Sequence, residues 1–580
     1  MRSFVAAAAA RRLRITMQRI QRRCISHKPT TTTVDSSNEA SRSEFFKYSW
    51  GTWATNDEVE KAKRHTPFAI EGIAEIVHRA RDTPRTVPRA SVRAITSLAE
   101  GRHHRIFLAE LDDNSQYVLR VPYPLDWSWE ARRARMRSEV ATMDFARRKW
   151  GMFVPEVVSW APTADNPLER EYILMEYLPP DGDRALRNLM SKWHPLDASV
   201  ADRAKVLKVV VHLLESLLAT RFSQFGSLYF TEDVDTSLQN ALPYAGEEDP
   251  KLVDRWRIGP TIEPAFWQNG IEHDGSTDRG PWNTPAEYLM ATARAHMAAY
   301  KNLLMNPVIA TTELGLYLPT WMDTYNKYAF LTSRLVPDVP ADSDMLSPRL
   351  CHPDLDPTNI LVDTASNSAG DDTQSFSSPY LLDWEGATIK PYFLHGAPKF
   401  VRYNGYKIYK REEVEHYDQL AEQQKRQVDY MMAATANQFT FEFLFKHSFP
   451  TLINAFSPHV KTLREPYRVA MDADYKYHPL EIVDLRDTLI RTQEQLELTS
   501  ATPSADEIAK TTSPATFTAE EIEQHATILQ QWEDTIQKLP FYSTKGWIPQ
   551  NVFDELIATG ELVKDEYGNY TSPSAPTPSK

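Results

Sequence analysis

The chain has 580 residues, 42% hydrophobic and 25% charged, enough to bury a large core and to hold more than one structural unit. Its net charge of -13 gives no electrostatic footing for nucleic acid and argues against a highly anionic substrate. The two cysteines, Cys24 and Cys351, exclude a disulfide framework, and no apolar run is long enough to cross a bilayer; Val209 to Ala219 is broken by His212 and Glu215.

Residues 1–34 carry Arg2, Arg11, Arg12, Arg14, Arg19, Arg22, Arg23 and Lys28, with no acid before Asp35. Leu13, Met17 and Ile20 share one helical face while the arginines occupy the others, so the segment reads as a mitochondrial transit peptide. The expected location is the mitochondrion and the expected partner of the segment is the import machinery; a basic arm that binds something anionic is the alternative reading. Residues 35–90 read as a helical extension with Trp50 and Trp53 packed, closed by the Pro-rich break Arg81 to Pro88.

Ile95 to Ala99, Arg105 to Leu111 and Tyr117 to Pro122 follow as strands, with a turn at Asp112 to Ser115. A helix is expected over Trp127 to Trp150, capped by Gly151, and a strand over Tyr172 to Leu178 running into Pro179-Pro180. Lys205 to Arg221 is an apolar-rich helix. Residues 227–349 form a long insertion, in which Thr284 and Glu287 make a capping box for a helix ending near Leu304. Trp256, Trp267 and Trp282 are read as core, with an aromatic ligand wall as the alternative. Further on, helices are expected over Tyr417 to Lys446 and Leu480 to Leu498, then a linker at Thr499 to Ala515. Thr518 caps a last helix through Leu539, and Tyr570 to Lys580 reads as a disordered tail. No internal repeat is visible.

The stretch that carries chemistry is Leu350 to Glu385. Ile360-Leu361-Val362 and Tyr380-Leu381-Leu382 read as a β-hairpin around a Ser-, Asp- and Thr-rich loop. A hairpin brings its ends together, so Asn359 and Asp383 should meet at one mouth with Asp354 beside them. Asn359 and Asp383 offer hard oxygen ligands for a metal that bridges phosphate oxygens, and Asp354 is placed to take or orient the proton of an attacking hydroxyl. Asp-x4-Asn is the spacing of a kinase catalytic loop, with an Asp on the following strand. Arg349 and His352 read as braces, and Lys390 to Arg411 as a substrate-side loop.

His-x-Asp-x4-Asn followed by Asp-Trp-Glu resembles the aminoglycoside phosphotransferase and choline kinase branch of the kinase superfamily. Leu98 to Pro122, Met175 to Tyr177, Phe225 to Phe230, Ile258 to Pro260 and Arg279 to Trp282 extend the resemblance over most of residues 40 to 550. It implies an α+β, bilobal kinase-like fold: a small lobe over 91–178 and a mainly helical large lobe over 179–470. Residues 471–580 would be a C-terminal helical extension and tail. The resemblance further implies ATP and Mg2+ as cofactors and a small hydroxyl compound as phosphate acceptor. In that frame Glu100 to Phe107 is the phosphate-covering loop with Gly101 its single glycine. Arg120 reaches the phosphates, Glu139 is its carboxylate partner, and backbone groups of Glu176, Tyr177 and Leu178 hold the adenine. Arg120 stands where Lys is usual, and Arg102, His103 and His104 are bulky where small residues are common. These departures support a second reading, a pseudokinase that binds nucleotide or scaffolds other proteins. Glu385, where protein kinases have Gly, favours a small substrate or a supporting metal contact.

Overall fold

The computed structural model describes residues 39–81, 90–125, 127–179, 186–193, 198–268, 270–271, 273–335, 344–363, 378–472, 479–499, 516–538, 541 and 544–571. The expected transit peptide, most of the Arg81–Pro88 break, the linker at 500–515 and the tail beyond Thr571 lie outside these residues. No described helix is long and apolar enough to cross a membrane.

A five-stranded antiparallel sheet forms the first lobe. Its spatial order is Val92–Glu100, His104–Leu111, Gln116–Pro122, Tyr172–Glu176, Val157–Ala161. Side chains alternate faces along a strand, and the two faces are covered by different parts of the chain. Phe107, Leu119, Val121 and Leu174 pack with Phe45, Phe68, Ile73 and Val77 of the N-terminal extension. Ile173 and Met175 on the opposite face pack with Met136, Val140 and Met143 of the helix Trp129–Arg148. Arg120 lies between Leu119 and Val121 and therefore faces that helix. The helix starts at Ser128, whose hydroxyl accepts from the Ala131 amide, and Gly151 beyond its end has φ +64°, a left-handed conformation suited to glycine.

The second lobe is mainly helical around one continuous core in which Trp256, Trp321, Trp384 and Trp532 are fully buried. Trp267 and Trp282 are buried with Trp256, so the aromatic cluster is core. The expected capping box is present: the Glu287 amide donates to Thr284 Oγ1 at 3.2 Å, and the Thr284 amide to Glu287 Oε2 at 3.0 Å. Thr518 and Glu521 make the same reciprocal pair ahead of Ala519–Lys538.

Three expectations change. The extensions are not only helical: Gly51–Trp53 pairs antiparallel with Trp547–Pro549, joining the two extensions in one small sheet. A Cβ at residue 51 would collide with the Trp547 side chain, so the close pairing requires glycine there. Tyr570 and Thr571 are not a loose tail. They pair with Val563–Lys564, and the Tyr570 amide donates to the Ala54 carbonyl at 2.7 Å, because an aromatic ring that can pack on Phe553 overrides the polar sequence after it. The covering loop is only Gly101 to His103. Glu100 and Arg105 are paired strand residues linked by a 2.8 Å ion pair, and Glu100 also accepts from the Ser49 and Trp50 amides.

His296 lies in the large-lobe core, 6% exposed and stacked on Tyr325 with ring centroids 4.3 Å apart. Burial pulls its imidazole down to about 3. Below its ordinary value of about 6.5 the unfolded chain takes up a proton that the folded chain does not, so this contribution to stability is full above that value and is lost as pH falls. The loss should reach about 2 kcal/mol at pH 5. His296→Phe should therefore flatten the fall in melting temperature between pH 7 and pH 5; an unchanged slope would show that His296 is not its source.

Candidate active site

Between the lobes lies a cleft of about 1380 Å³ whose lining includes Gly101, Arg120, Glu139, Glu176, Tyr177, Leu178, Asp354, Asn359 and Asp383. All nine of these residues, named from the sequence, thus border one space.

Ile360–Asp363 and Tyr380–Leu381 form the expected hairpin, with Leu186–Asn188 added on the outer edge. The Leu382 amide donates to the Asn359 carbonyl at 2.8 Å, which sets Asn359 beside Asp383. Asn359 Nδ2 donates to Asp354 twice, to its carbonyl at 2.9 Å and to Oδ2 at 3.0 Å. The amide oxygen of Asn359 is thereby turned away from Asp354. Asp383 has φ 59°, a left-handed conformation that aspartate tolerates better than most residues, and Gly386 follows with φ 82°.

His352 and Trp384 hold this mouth from below. The Leu382 carbonyl can only accept and the Asp354 amide can only donate, so the imidazole is neutral with its proton on Nε2. It donates to Leu382 at 3.0 Å and accepts from Asp354 at Nδ1 at 3.3 Å. Burial holds His352 below its usual range, against the pull of Asp383. Its ring packs edge-on against Trp384, fully buried, whose indole donates to the Leu381 carbonyl at 3.0 Å. Arg349 donates to the Leu218 carbonyl at 2.6 Å. Both expected braces are in contact with backbone.

From the small lobe, the Arg120 guanidinium hydrogen bonds to the Glu139 carboxylate, to Asp383 Oδ1 at 3.0 Å and to His104 Nδ1 at 3.1 Å. A guanidinium can only donate, so His104 Nδ1 carries no proton. Burial, with Arg120 next to it, holds that imidazole well below its usual range. Glu385 is a second hub. Arg135 reaches it at 2.6 Å, and His104, His103 and Arg120 lie at 3.3, 3.4 and 3.5 Å. Burial pushes the Glu385 carboxyl up, but Arg135, bonded to it, and the facing His103 outweigh it and hold the group well below the ordinary glutamate range. Glu385 is therefore an ionised carboxylate beside the hairpin, bonded to Arg135 and 3.4 Å from His103 of the covering loop. Sequence reading missed Arg135, although it sits one helical turn before Glu139 and so on the same face.

Of the three hinge residues, the Glu176 amide already donates to the Glu156 carbonyl at 2.9 Å, which removes it from the donors a ligand could use. Deeper in the large lobe, Glu263 accepts from the Tyr467 hydroxyl at 2.6 Å, the Tyr288 hydroxyl at 2.7 Å and Lys390 Nζ at 3.2 Å. Burial opposes the Lys390 charge, yet Tyr467 and Glu263 raise it well above the ordinary lysine range. No sequence signal pointed to this group.

As to a metal, the described residues hold no group of three or more His, Cys, Asp and Glu that could bind one. Asn359 and Asp383 still fit magnesium chemistry, because that ion takes one or two protein oxygens and completes its shell with water and phosphate.

A sheet lobe and a helical lobe meeting at a cleft, with the Asp354–Asp383 hairpin in the second lobe, define a bilobal protein-kinase-like fold. The chain belongs to the family of the altered inheritance of mitochondria protein 9. It is 41% identical to the member from Yarrowia lipolytica, with 93% of this chain and 90% of the relative covered. It is 33% identical to that from Lachancea thermotolerans, with 96% of each covered, and 32% identical to that from Saccharomyces cerevisiae, with 95% and 94% covered. These relatives are named as mitochondrial, and the chain is a mitochondrial protein as they are. No protein-family model matches the chain. Among solved structures it is similar to a putative fructosamine-3-kinase from Thermobifida fusca, 13% identical over 73% of this chain and 97% of that one, with a TM-score of 0.33. It is also similar to a choline kinase from Cryptosporidium parvum, 10% identical over 73% and 96%, with a TM-score of 0.30.

Proposed function

We propose that the protein is a mitochondrial phosphotransferase that moves the γ-phosphoryl group of ATP to the hydroxyl of a small molecule. The observation that carries this reading is the hairpin mouth, where Asp354, Asn359 and Asp383 are held together by the Leu382–Asn359 and Asn359–Asp354 hydrogen bonds. In this reading Asp354 accepts the hydroxyl proton as the acceptor oxygen bonds to phosphorus. The bond from phosphorus to the β–γ bridging oxygen breaks, and its electron pair leaves with ADP. Asn359 and Asp383 would hold magnesium, which when bound neutralises charge on the phosphate oxygens. Arg120, kept in place by Glu139, would orient the nucleotide phosphates in two-point fashion. Tyr177 and Leu178 would border the adenine, and the short Gly101–His103 loop would cover the phosphates.

One observation favours a second reading, a nucleotide-binding pseudokinase: Arg120 is bonded to Asp383 and so occupies one oxygen of the metal ligand. Thermal shift with Mg-ATP separates the cases. The wild-type chain should gain several degrees at saturating Mg-ATP, since a ligand of the folded state stabilises by mass action. Asp383→Asn, which keeps a residue that tolerates the left-handed backbone, should lose the magnesium-dependent part of the gain. No shift in the wild type would end the nucleotide reading. A normal shift without turnover of any mitochondrial metabolite would leave the pseudokinase.

A further inference from the structure

Beyond Asp354 the cleft continues into a chamber walled by the strand Thr388–Pro391, the loop that follows it and the helix Pro458–Asp472. Five lining side chains here are basic, Lys390, Lys399, Arg402, Arg464 and Arg468, and two are acidic, Glu263 and Asp472. A chain of net charge -13 has concentrated positive charge beside its candidate catalytic base.

Not all of that charge is compensated. Lys390 is matched by Glu263, as described above. Arg468 is matched by Glu465 at 2.7 Å and by Asp472 at 3.5 Å. The Arg464 guanidinium is buried, 7% exposed, and donates to neutral groups, the Phe393 and Ala455 carbonyls at 3.1 and 3.2 Å. The Arg402 and Lys399 side chains make no hydrogen bond or ion pair among the described residues. Burial and the neighbouring Arg468 work against the Arg402 charge while Glu465 and Asp472 favour it, and burial pulls Arg464 down to about 10, with Arg402 adding to it and Glu465 opposing it. Arg402 and Arg464, crowded together in this wall with the exposed Lys399 at its rim, are held at an electrostatic disadvantage that an incoming anion would relieve. The same wall would repel a cationic acceptor.

We infer that the acceptor is an anionic small molecule, a hydroxyl compound that already bears a phosphate or carboxylate group. Lys399 and Arg402 grip that group while Arg464 contributes its field from behind. The inference rests on the phosphotransfer reading of the same cleft, and it reverses the expectation drawn from overall charge: the local field at the acceptor side is opposite in sign to the chain as a whole.

The test uses the full chain saturated with magnesium and the non-hydrolysable analogue AMP-PNP. Binding of four probes is then measured calorimetrically at constant ionic strength: glycerol 3-phosphate, glycerate, glycerol and choline. The expected result is binding of glycerol 3-phosphate or glycerate, the stronger of the two naming phosphate or carboxylate as the recognised group, and none of glycerol or choline. The Lys399→Gln, Arg402→Gln double variant should bind the anionic probe at least tenfold more weakly with its AMP-PNP affinity unchanged. Choline or glycerol binding as well as the anions overturns the inference, and so does equal anion binding by the double variant. Failure of both anions while AMP-PNP binds overturns this inference alone; failure of AMP-PNP removes the phosphotransfer reading with it.

Discussion

Asp354→Asn should lower phosphoryl transfer by roughly 10³-fold, within the range typical for loss of a general base, while Mg-ATP still stabilises the protein. The substitution is nearly isosteric, and the Asn359 side chain, which donates to the Asp354 carbonyl as well as to Oδ2, keeps its backbone bond. His352 continues to accept from the residue 354 amide. What disappears is the capacity to take a proton from the acceptor hydroxyl. ADP release with a mitochondrial metabolite extract as acceptor, measured beside nucleotide thermal shift, reads the two effects separately. A variant with undiminished turnover would remove Asp354 from the chemistry. A variant that loses nucleotide binding as well would make it a structural residue of the mouth.

Glu263→Leu should be among the most destabilising single substitutions, costing about 3–5 kcal/mol, because it leaves Lys390 charged and partly buried without its carboxylate. It also strips an acceptor from two buried tyrosine hydroxyls, Tyr288 and Tyr467, which lie 2.6 Å from each other. Adding Lys390→Met should recover most of the loss, since replacing both members of a buried pair by apolar groups is often close to neutral. Urea unfolding of the wild type, single and double variants gives the comparison. An undiminished midpoint for Glu263→Leu would show that the group does not hold the lobe together, and a double variant as unstable as the single would mean that the tyrosine hydroxyls, not the lysine charge, dominate.

The hairpin of the candidate site was legible because it is local. His352, Asp354, Asn359 and Asp383 lie within 32 positions, and two short strands with a polar loop between them fix which ends meet. The Arg120–Glu139 pair, 19 residues apart, was legible through the resemblance, which sets a cation on the third strand against a carboxylate of the helix that follows. The covering loop was drawn too long because its limits are set from afar. Glu100 belongs to the strand only because the Ser49 and Trp50 amides and Arg105 hold it there. The Glu263, Lys390 and Tyr467 cluster joins residues 127 and 204 positions apart in the sequence. No spacing rule connects such residues, so neither the cluster nor the basic chamber beside it could be read from one chain. Overall charge is silent about the chamber for the same reason: a sum over 580 residues carries no information about the sign of the field in one cavity.

The small sheet that joins Gly51–Trp53 to Trp547–Pro549 has a consequence for how the molecule matures. Trp547 Nε1 donates to the Tyr48 hydroxyl at 3.0 Å, next to the Ser49 and Trp50 amides that anchor Glu100 at the base of the covering loop. A polypeptide is made from its amino end, so nearly the whole length must emerge before this clasp can fasten. The brace on the Gly101–His103 loop is then among the last contacts a growing chain can make, because Tyr48 and Trp547 are 499 positions apart in the sequence.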